Sequence, residues 1–173
     1  EEGEGTFLSK LKHQIGSAPN EAKQLAAEMC WVLGLCPSNT GPNQKRENIR
    51  TIWSWSGETL AADSPWLSSP VLTGVGSAGP AFHFHYWREL VFLIRFATAF
   101  QALTVDERQR LLASEWDFGK WVMQIPEADV RQFRHMLLYL LFPDSFERIF
   151  GQQDRKKIVQ AFAGAAKYEN VRD

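Results

Sequence analysis

The stretch Arg131-Gln-Phe-Arg-His-Met-Leu-Leu-Tyr-Leu-Leu-Phe-Pro-Asp-Ser-Phe-Glu-Arg-Ile-Phe150 decides the fold of this chain. Between Phe133 and Phe142 nearly every residue is apolar, so a helix here would be apolar on all sides. Such a helix is either buried in a protein core or placed in a membrane. The run is about half of the roughly 20 residues that a bilayer span needs. We therefore predict that it is the central buried helix of a soluble domain.

The end of this helix is marked by Pro143, because proline cannot continue the hydrogen-bond ladder. Asp144 or Ser145 can then cap a second short helix. Its apolar face would consist of Phe146, Ile149 and Phe150, at helical spacing.

Charged groups lie inside or beside this apolar block, and buried charge requires partners. Two interpretations are open: an internal ion-pair network, or an arginine-lined groove that faces a phosphate or a partner's carboxylate. We favour the network, because arginine beside apolar runs is usually paired. Its predicted members are Arg88, Glu89, Arg134, Glu147 and Arg148.

The remaining sequence predicts an all-α fold, a single compact domain of about seven to nine helices over residues 1–173. Apolar residues recur at helical spacing, and no convincing strand pattern is present. The predicted helix starts are Thr6, Asn20, Asn43, His85, Thr104, Ser114 and Asp154. Residues 57–82 are rich in Gly, Ser and Pro and predict one long irregular loop, with short helical turns near 58–62 and 65–69.

Composition narrows the classes of function. The chain has 173 residues, 19 basic and 20 acidic side chains and a net charge of −1. This balance provides no overall field that attracts nucleic acid. Cys30 and Cys36 predict free thiols in a reducing cytoplasm. The first residues lack a Met, and both ends look like internal boundaries. We therefore expect a piece of a longer chain, frayed at 1–5 and 167–173, with no membrane contact.

No set of residues predicts catalysis, a cofactor or a metal in this segment. Gly74-Val-Gly76-Ser-Ala-Gly79 matches G-x-G-x-x-G, but the dinucleotide fingerprint requires a strand before it and a helix starting within it. A flexible or tightly turned loop is the expected alternative. His83 and His85, with Cys30 and Cys36, do not have zinc-ligand spacings. Cys30 lies on an apolar helix face, which raises the pKa of a thiol and argues against a nucleophile.

Two clusters of basic residues are candidates for contact with nucleic acid or a partner: Lys45, Arg46 and Arg50, and Arg155, Lys156 and Lys157. Trp53 and Trp55 lie within the first cluster and would stack on bases if they were exposed. The alternative is that each cluster is only a solvated surface.

Several motifs follow one another along the chain. The most specific is Leu141-Phe-Pro-Asp-Ser-Phe-Glu-Arg-Ile149, and the others are Met29-Cys-Trp-Val-Leu-Gly-Leu35, Lys45-Arg-Glu-Asn-Ile-Arg-Thr-Ile-Trp-Ser-Trp-Ser-Gly57, Trp87-Arg-Glu-Leu90 and Lys156-Lys-Ile-Val-Gln-Ala-Phe162. Together, over roughly residues 20–165, they resemble the N-terminal region of McrB-like AAA+ NTPases, which act in modification-dependent restriction and antiphage defence.

The resemblance implies a non-catalytic recognition or adaptor module that binds DNA or a phage-derived trigger. The parent chain would carry an AAA+ domain that hydrolyses ATP or GTP with Mg²⁺. Binding residues cannot be transferred, because the known modules of these relatives have other folds. The alternative is a protein-interaction scaffold that docks on the motor domain or on a nuclease subunit.

Overall fold

The computed structural model describes residues 4–163, and within them the regular structure is helical, which confirms the all-α prediction. The predicted frayed residues 167–173 lie outside the described part of the chain. Ten α-helices are present between residues 4 and 163: α1 (Phe7–Ile15), α2 (Asn20–Gly34), α3 (Pro42–Ser54), α4 (Ser69–Leu72), α5 (Gly79–Phe84), α6 (Tyr86–Ala102), α7 (Val105–Leu112), α8 (Glu115–Val122), α9 (Phe133–Leu141) and α10 (Gln152–Ala163). Two 3₁₀ turns cover Pro65–Leu67 and Ala128–Val130.

The helices belong to two compact units, residues 1–75 (unit 1) and 76–173 (unit 2). The prediction of a single domain over residues 1–173 stays a prediction.

Unit 1 is built on the packing of α2 against α3. Leu33 of α2, Ile52 of α3 and Leu72 of α4 are completely buried. Thr6 caps α1 as predicted, since its hydroxyl accepts a hydrogen bond from the Ser9 N–H at 3.2 Å. Asn20 is not a cap: it is the first residue of α2, and Pro19 occupies the cap position without a side-chain bond.

Within the predicted irregular loop 57–82, short helical elements are present at the predicted turn near 65–69 and after it, whereas residues 58–62 are not helical. They are the 3₁₀ turn Pro65–Leu67, helix α4 and the first residues of α5. Each of them has a proline as its first or second residue, because the fixed φ of proline suits the first turn of a helix and its missing N–H is not needed there.

Unit 2 surrounds α9 with α6 and α8. Phe133, Met136 and Leu137 of α9 are buried, as expected for a helix that is apolar on all sides. Thr104 caps α7 in a reciprocal capping box with Glu107, which confirms the predicted start of that helix. A cluster of aromatic rings packs beside α9; its members are Phe96, Phe100, Phe118, Trp121 and Phe142.

The predicted helix after Pro143 is wrong, because the chain makes a turn and then continues without helical structure to Gly151. The aromatic rings explain this. Phe146 packs on Trp116 with ring centroids 5.4 Å apart, whereas Phe150 packs on Tyr139 at 6.1 Å. A helix would place both rings on one face. The last helix begins at Gln152, and Asp154 lies in its first turn rather than at its cap.

Gly74 and Gly57 offer a matched pair of substitutions in unit 1. Both have positive φ, 85° and 86°, but a Cβ at Gly74 would lie 2.4 Å from the Pro37 carbonyl oxygen and one at Gly57 would meet open space. We expect Gly57→Ala to lower the free energy of unfolding by about 1 kcal/mol, the cost of left-handed backbone alone. Gly74→Ala should cost at least about 3 kcal/mol, since backbone must also move. Urea unfolding measures both, and equal losses would contradict the clash.

Candidate functional site

Lys45 is buried, so the prediction that it belongs to a surface cluster is wrong. Its side chain is 6% exposed, and its Nζ donates hydrogen bonds to the carbonyl oxygens of Pro37 and Leu72, the latter at 2.7 Å. Burial lowers the pKa of the Lys45 ammonium to about 8, opposed by the nearby Cys36 sulfur. Burial also raises the pKa of the Cys36 thiol to about 12, which leaves it a poor nucleophile.

The two arginines of α3 are similarly engaged with backbone. Arg46 donates from Nε to the Leu67 carbonyl at 2.7 Å and from Nη2 to the Ser69 hydroxyl at 3.0 Å. Arg50 donates from Nη2 to the Ala62 carbonyl at 2.9 Å. The cations of α3 therefore hold the segment 62–72 against the helix. Their contact with nucleic acid stays a prediction, but these donors are already in use.

The segment held in this way closes one side of an apolar groove of about 530 Å³ in unit 1, which we call the tryptophan groove. Three tryptophans line it: Trp31 from α2, Trp53 from α3 and Trp66 from the 3₁₀ turn Pro65–Leu67. The lining residues are Glu28, Trp31, Val32, Ile49, Trp53, Leu60, Ser64, Trp66 and Leu67.

Two of the indoles form a right-angled pair. The rings of Trp31 and Trp66 are perpendicular, with centroids 6.1 Å apart, and the Trp31 Nε1–H donates to the Trp66 carbonyl at 2.9 Å. Trp66 is 67% exposed, an unusual position for so large an apolar side chain. The Nε1 of Trp53 is buried and has no acceptor among residues 4–163.

Sequence reasoning selected one residue of this groove, Trp53, and missed the others. Trp55, its predicted companion, is half-buried and does not line the groove. A local signal did exist on α2, where Glu28 and Trp31 are three residues apart and so share one helix face. Trp66 follows Pro65 in a segment that the sequence predicted as irregular, and nothing local pairs it with Trp31.

In unit 2, the predicted ion-pair network has a different composition. The buried Glu89 carboxylate lies 3.8 Å from Arg131, which the sequence did not predict as a member, and it accepts hydrogen bonds from the backbone N–H groups of Phe133 at 2.9 Å and Gln132 at 3.4 Å. Burial raises the pKa of Glu89, and these two hydrogen bonds oppose the shift. Arg131 also pairs with Glu127 at 3.5 Å.

The other predicted network members lie elsewhere. The Arg88 guanidinium is 5.1 Å from the centre of the Trp87 ring. Glu147 and Arg148 are exposed, and neither forms an ion pair with another residue in the range 4–163. They lie outside the core because the turn after Pro143 replaces the predicted helix.

Arg134 is buried and contacts two soft or neutral groups. Its Nε donates to His135 Nε2 at 3.0 Å, and its Nη1 contacts the Met123 sulfur at 2.6 Å. Burial, Arg134 and Arg155 lower the pKa of His135 to about 2. The imidazole is therefore neutral at physiological pH and accepts a hydrogen bond at Nε2.

A polar pocket of about 290 Å³ lies beside these groups in unit 2. Four arginines line it, Arg88, Arg131, Arg134 and Arg155, but so do the carboxylates of Glu89 and Asp129. The pocket could accept a small anion. The two carboxylates would repel an anion, and Arg131 is already paired with Glu89.

The second predicted basic cluster lies on α10. Arg155 donates from Nη1 to the Phe150 carbonyl at 2.8 Å, and Lys157 lies 4.0 Å from Asp154. Lys156 is exposed. The role of this cluster in nucleic-acid binding stays a prediction.

The remaining candidate motifs have structural explanations. Gly74 lies against the Pro37 carbonyl, and Gly76 packs on the Phe150 ring and the Arg148 carbonyl, so close packing accounts for these glycines without a nucleotide. In the described range 4–163, no group of three or more His, Cys, Asp or Glu side chains could hold a metal ion. No helix in the same range is long and apolar enough to cross a membrane.

Comparisons with protein-family models, with curated proteins and with solved structures give no match. The McrB-like resemblance therefore stays a prediction.

Substitutions at Glu89 and Glu147 test whether the buried ion pair contains Glu89 and leaves out Glu147. We expect Glu89→Gln to lower the free energy of unfolding by about 2 kcal/mol, because Arg131 and the start of α9 lose a buried negative charge. Glu147→Gln should change it by less than about 0.5 kcal/mol, since exposed side chains contribute little. Both are measured by urea unfolding. Similar losses in the two variants would contradict the assignment of Arg131 as the buried partner.

His135 should make unit 2 sensitive to acid. Its folded-state pKa is lowered, so the unfolded chain binds the extra proton and stability falls as pH drops through the usual histidine pKa of about 6.5. We expect a loss of about 2 kcal/mol between pH 7 and 5, absent in His135→Gln. The control is His13→Gln, an exposed position on α1. An unchanged profile in His135→Gln would show that the imidazole accommodates a proton.

Proposed function

We propose that this chain is a non-catalytic recognition module and that the tryptophan groove is its binding site. One observation carries the proposal: a groove of about 530 Å³ is walled by three indoles, with Trp66 left 67% exposed. Ligand pockets are commonly about 300–1,000 Å³, mostly apolar and aromatic, with a few polar groups that set orientation. Glu28 and Ser64 are the residues of the lining with polar side chains outside the indoles.

The chemistry of the side chains favours binding over catalysis. A nucleophile requires a neighbouring base or a lowered pKa. The Cys36 thiol has a pKa of about 12, and His135 is held neutral beside Arg134. The groove itself contains one carboxylate and one hydroxyl. These groups can orient a ligand, and they lack the paired acid and base that bond cleavage requires.

The resemblance supports a larger context for the module. We place it at the N-terminal end of a McrB-like AAA+ NTPase of prokaryotic defence, in the cytoplasm, where the motor domain would use ATP or GTP with Mg²⁺. Binding in the groove would report a phage-derived trigger to the motor, and a nuclease subunit would be a further partner. DNA is the less favoured trigger, because Lys45, Arg46 and Arg50 already donate hydrogen bonds to backbone carbonyl groups of this chain.

The alternative function is a protein-interaction scaffold that docks on the motor domain or a nuclease. Exposed aromatic residues of unit 2 favour it, since Phe84 is 81% and Trp116 is 62% exposed. Interfaces are enriched in aromatic side chains. In this case the important surface would contain Trp116 and not Trp66.

A pair of exposed tryptophans separates the two functions in the full-length protein. Trp66→Ala should abolish protection against phage, measured as efficiency of plating, with the melting temperature and nucleotide hydrolysis unchanged. Trp116→Ala, matched to it in exposure, should retain protection. The reverse result would favour the scaffold.

We also expect the gene to encode a G-x-x-x-x-G-K-[ST] motif beyond Asp173. A downstream sequence without that motif would contradict the parentage.

A further inference from the structure

We infer that the tryptophan groove binds an alkylammonium group, a quaternary or methylated amine with an apolar body. The inference rests on the proposed function of the groove as the binding site, and it names the ligand chemistry. The indole face carries negative electrostatic potential, and tryptophan is the side chain that attracts cations most strongly in this way.

The arrangement of Trp31 and Trp66 suits such a cation. Their planes meet at 90° with centroids 6.1 Å apart, so they form two perpendicular walls. The Trp31 N–H is used by the Trp66 carbonyl at 2.9 Å, which fixes the orientation of the Trp31 ring. Trp53 also lines the groove. Aromatic cages that recognise quaternary ammonium groups use several ring walls of this kind.

The charge of the groove has the complementary sign. Glu28 is the charged residue of the lining, and it is exposed. Within residues 4–163 its carboxylate forms no ion pair. It lies three residues before Trp31, on the same face of α2. A phosphate or carboxylate ligand would be repelled by Glu28, whereas an ammonium group gains from both the rings and the carboxylate.

The size and the remaining lining define the rest of the ligand. A groove of about 530 Å³ is larger than an ammonium head needs, and Val32, Ile49 and Leu67 extend its apolar surface. An alkyl chain attached to the cation would bury against these residues. Both a free organic cation and the choline headgroup of a lipid offer this chemistry, so the experiment includes both sources.

The test compares choline with its neutral isostere 3,3-dimethylbutan-1-ol. The two ligands have the same shape and differ in charge. Each is titrated into the protein while the indole N–H resonances are followed by NMR, at an ionic strength held constant with NaCl. We expect shifts at Trp31, Trp53 and Trp66, and a dissociation constant at least about fivefold lower for choline. Phosphatidylcholine vesicles form the second arm, and binding of either choline form supports the inference.

Matched variants locate the site. Glu28→Gln should weaken choline about threefold and leave the neutral isostere unchanged, whereas Glu21→Gln, an exposed acid on the same helix, should change neither. Trp66→Ala should remove binding, and Trp116→Ala should not.

Equal affinity for choline and the alcohol would overturn the inference and leave the groove as a site for apolar ligands, with the proposed function intact. Absence of choline and vesicle binding would overturn the inference as well. The role of the groove in the proposed function fails separately, if Trp66→Ala retains phage protection.

Discussion

Unit 2 depends on a carboxylate supplied to the start of a helix by another helix. The first N–H groups of any helix lack partners within it, and the N-cap residue of α9, Gln132, provides no side-chain cap. Glu89 of α6 accepts from Phe133 and Gln132 instead. The negative charge also suits the positive end of the helix dipole. Arg131 compensates the buried charge, so the most apolar helix of the unit is oriented by a polar contact.

In unit 1 the groups that need partners are carbonyl oxygens, and positively charged side chains supply the hydrogen-bond donors. Its segment 62–72 is built of short helical elements, which leave several carbonyl groups without a backbone N–H donor. The cations of α3 satisfy those of Ala62, Leu67 and Leu72. An unpaired buried carbonyl at Leu72 would cost about 1–3 kcal/mol, so the hydrogen bond from Lys45 offsets part of the cost of burying its ammonium group. Basic residues that look like a ligand-binding surface in the sequence therefore act as internal donors.

The sequence predicts helices better than it predicts which side chains contact one another across the fold, because helix signals are local. Thr6, Thr104 and the apolar run of α9 act within a few residues of themselves, so their consequences can be derived locally. The pairing of Glu89 with Arg131 depends on tertiary packing, because Glu89 lies on α6 and Arg131 lies in the extended backbone before α9. The tryptophan groove was missed for the same reason, since Trp31 and Trp66 are 35 residues apart.

The exposed Trp66 ring is attached to backbone that is held in place by hydrogen bonds. Its own carbonyl accepts from Trp31, and the next carbonyl, of Leu67, accepts from Arg46. Two consecutive peptide groups are thus fixed from two different helices. A ligand that contacts this ring would order little additional backbone, and the entropy lost on binding would be correspondingly small. Rigid backbone under a solvent-facing indole is an arrangement that favours recognition, because fold stability alone would bury the ring.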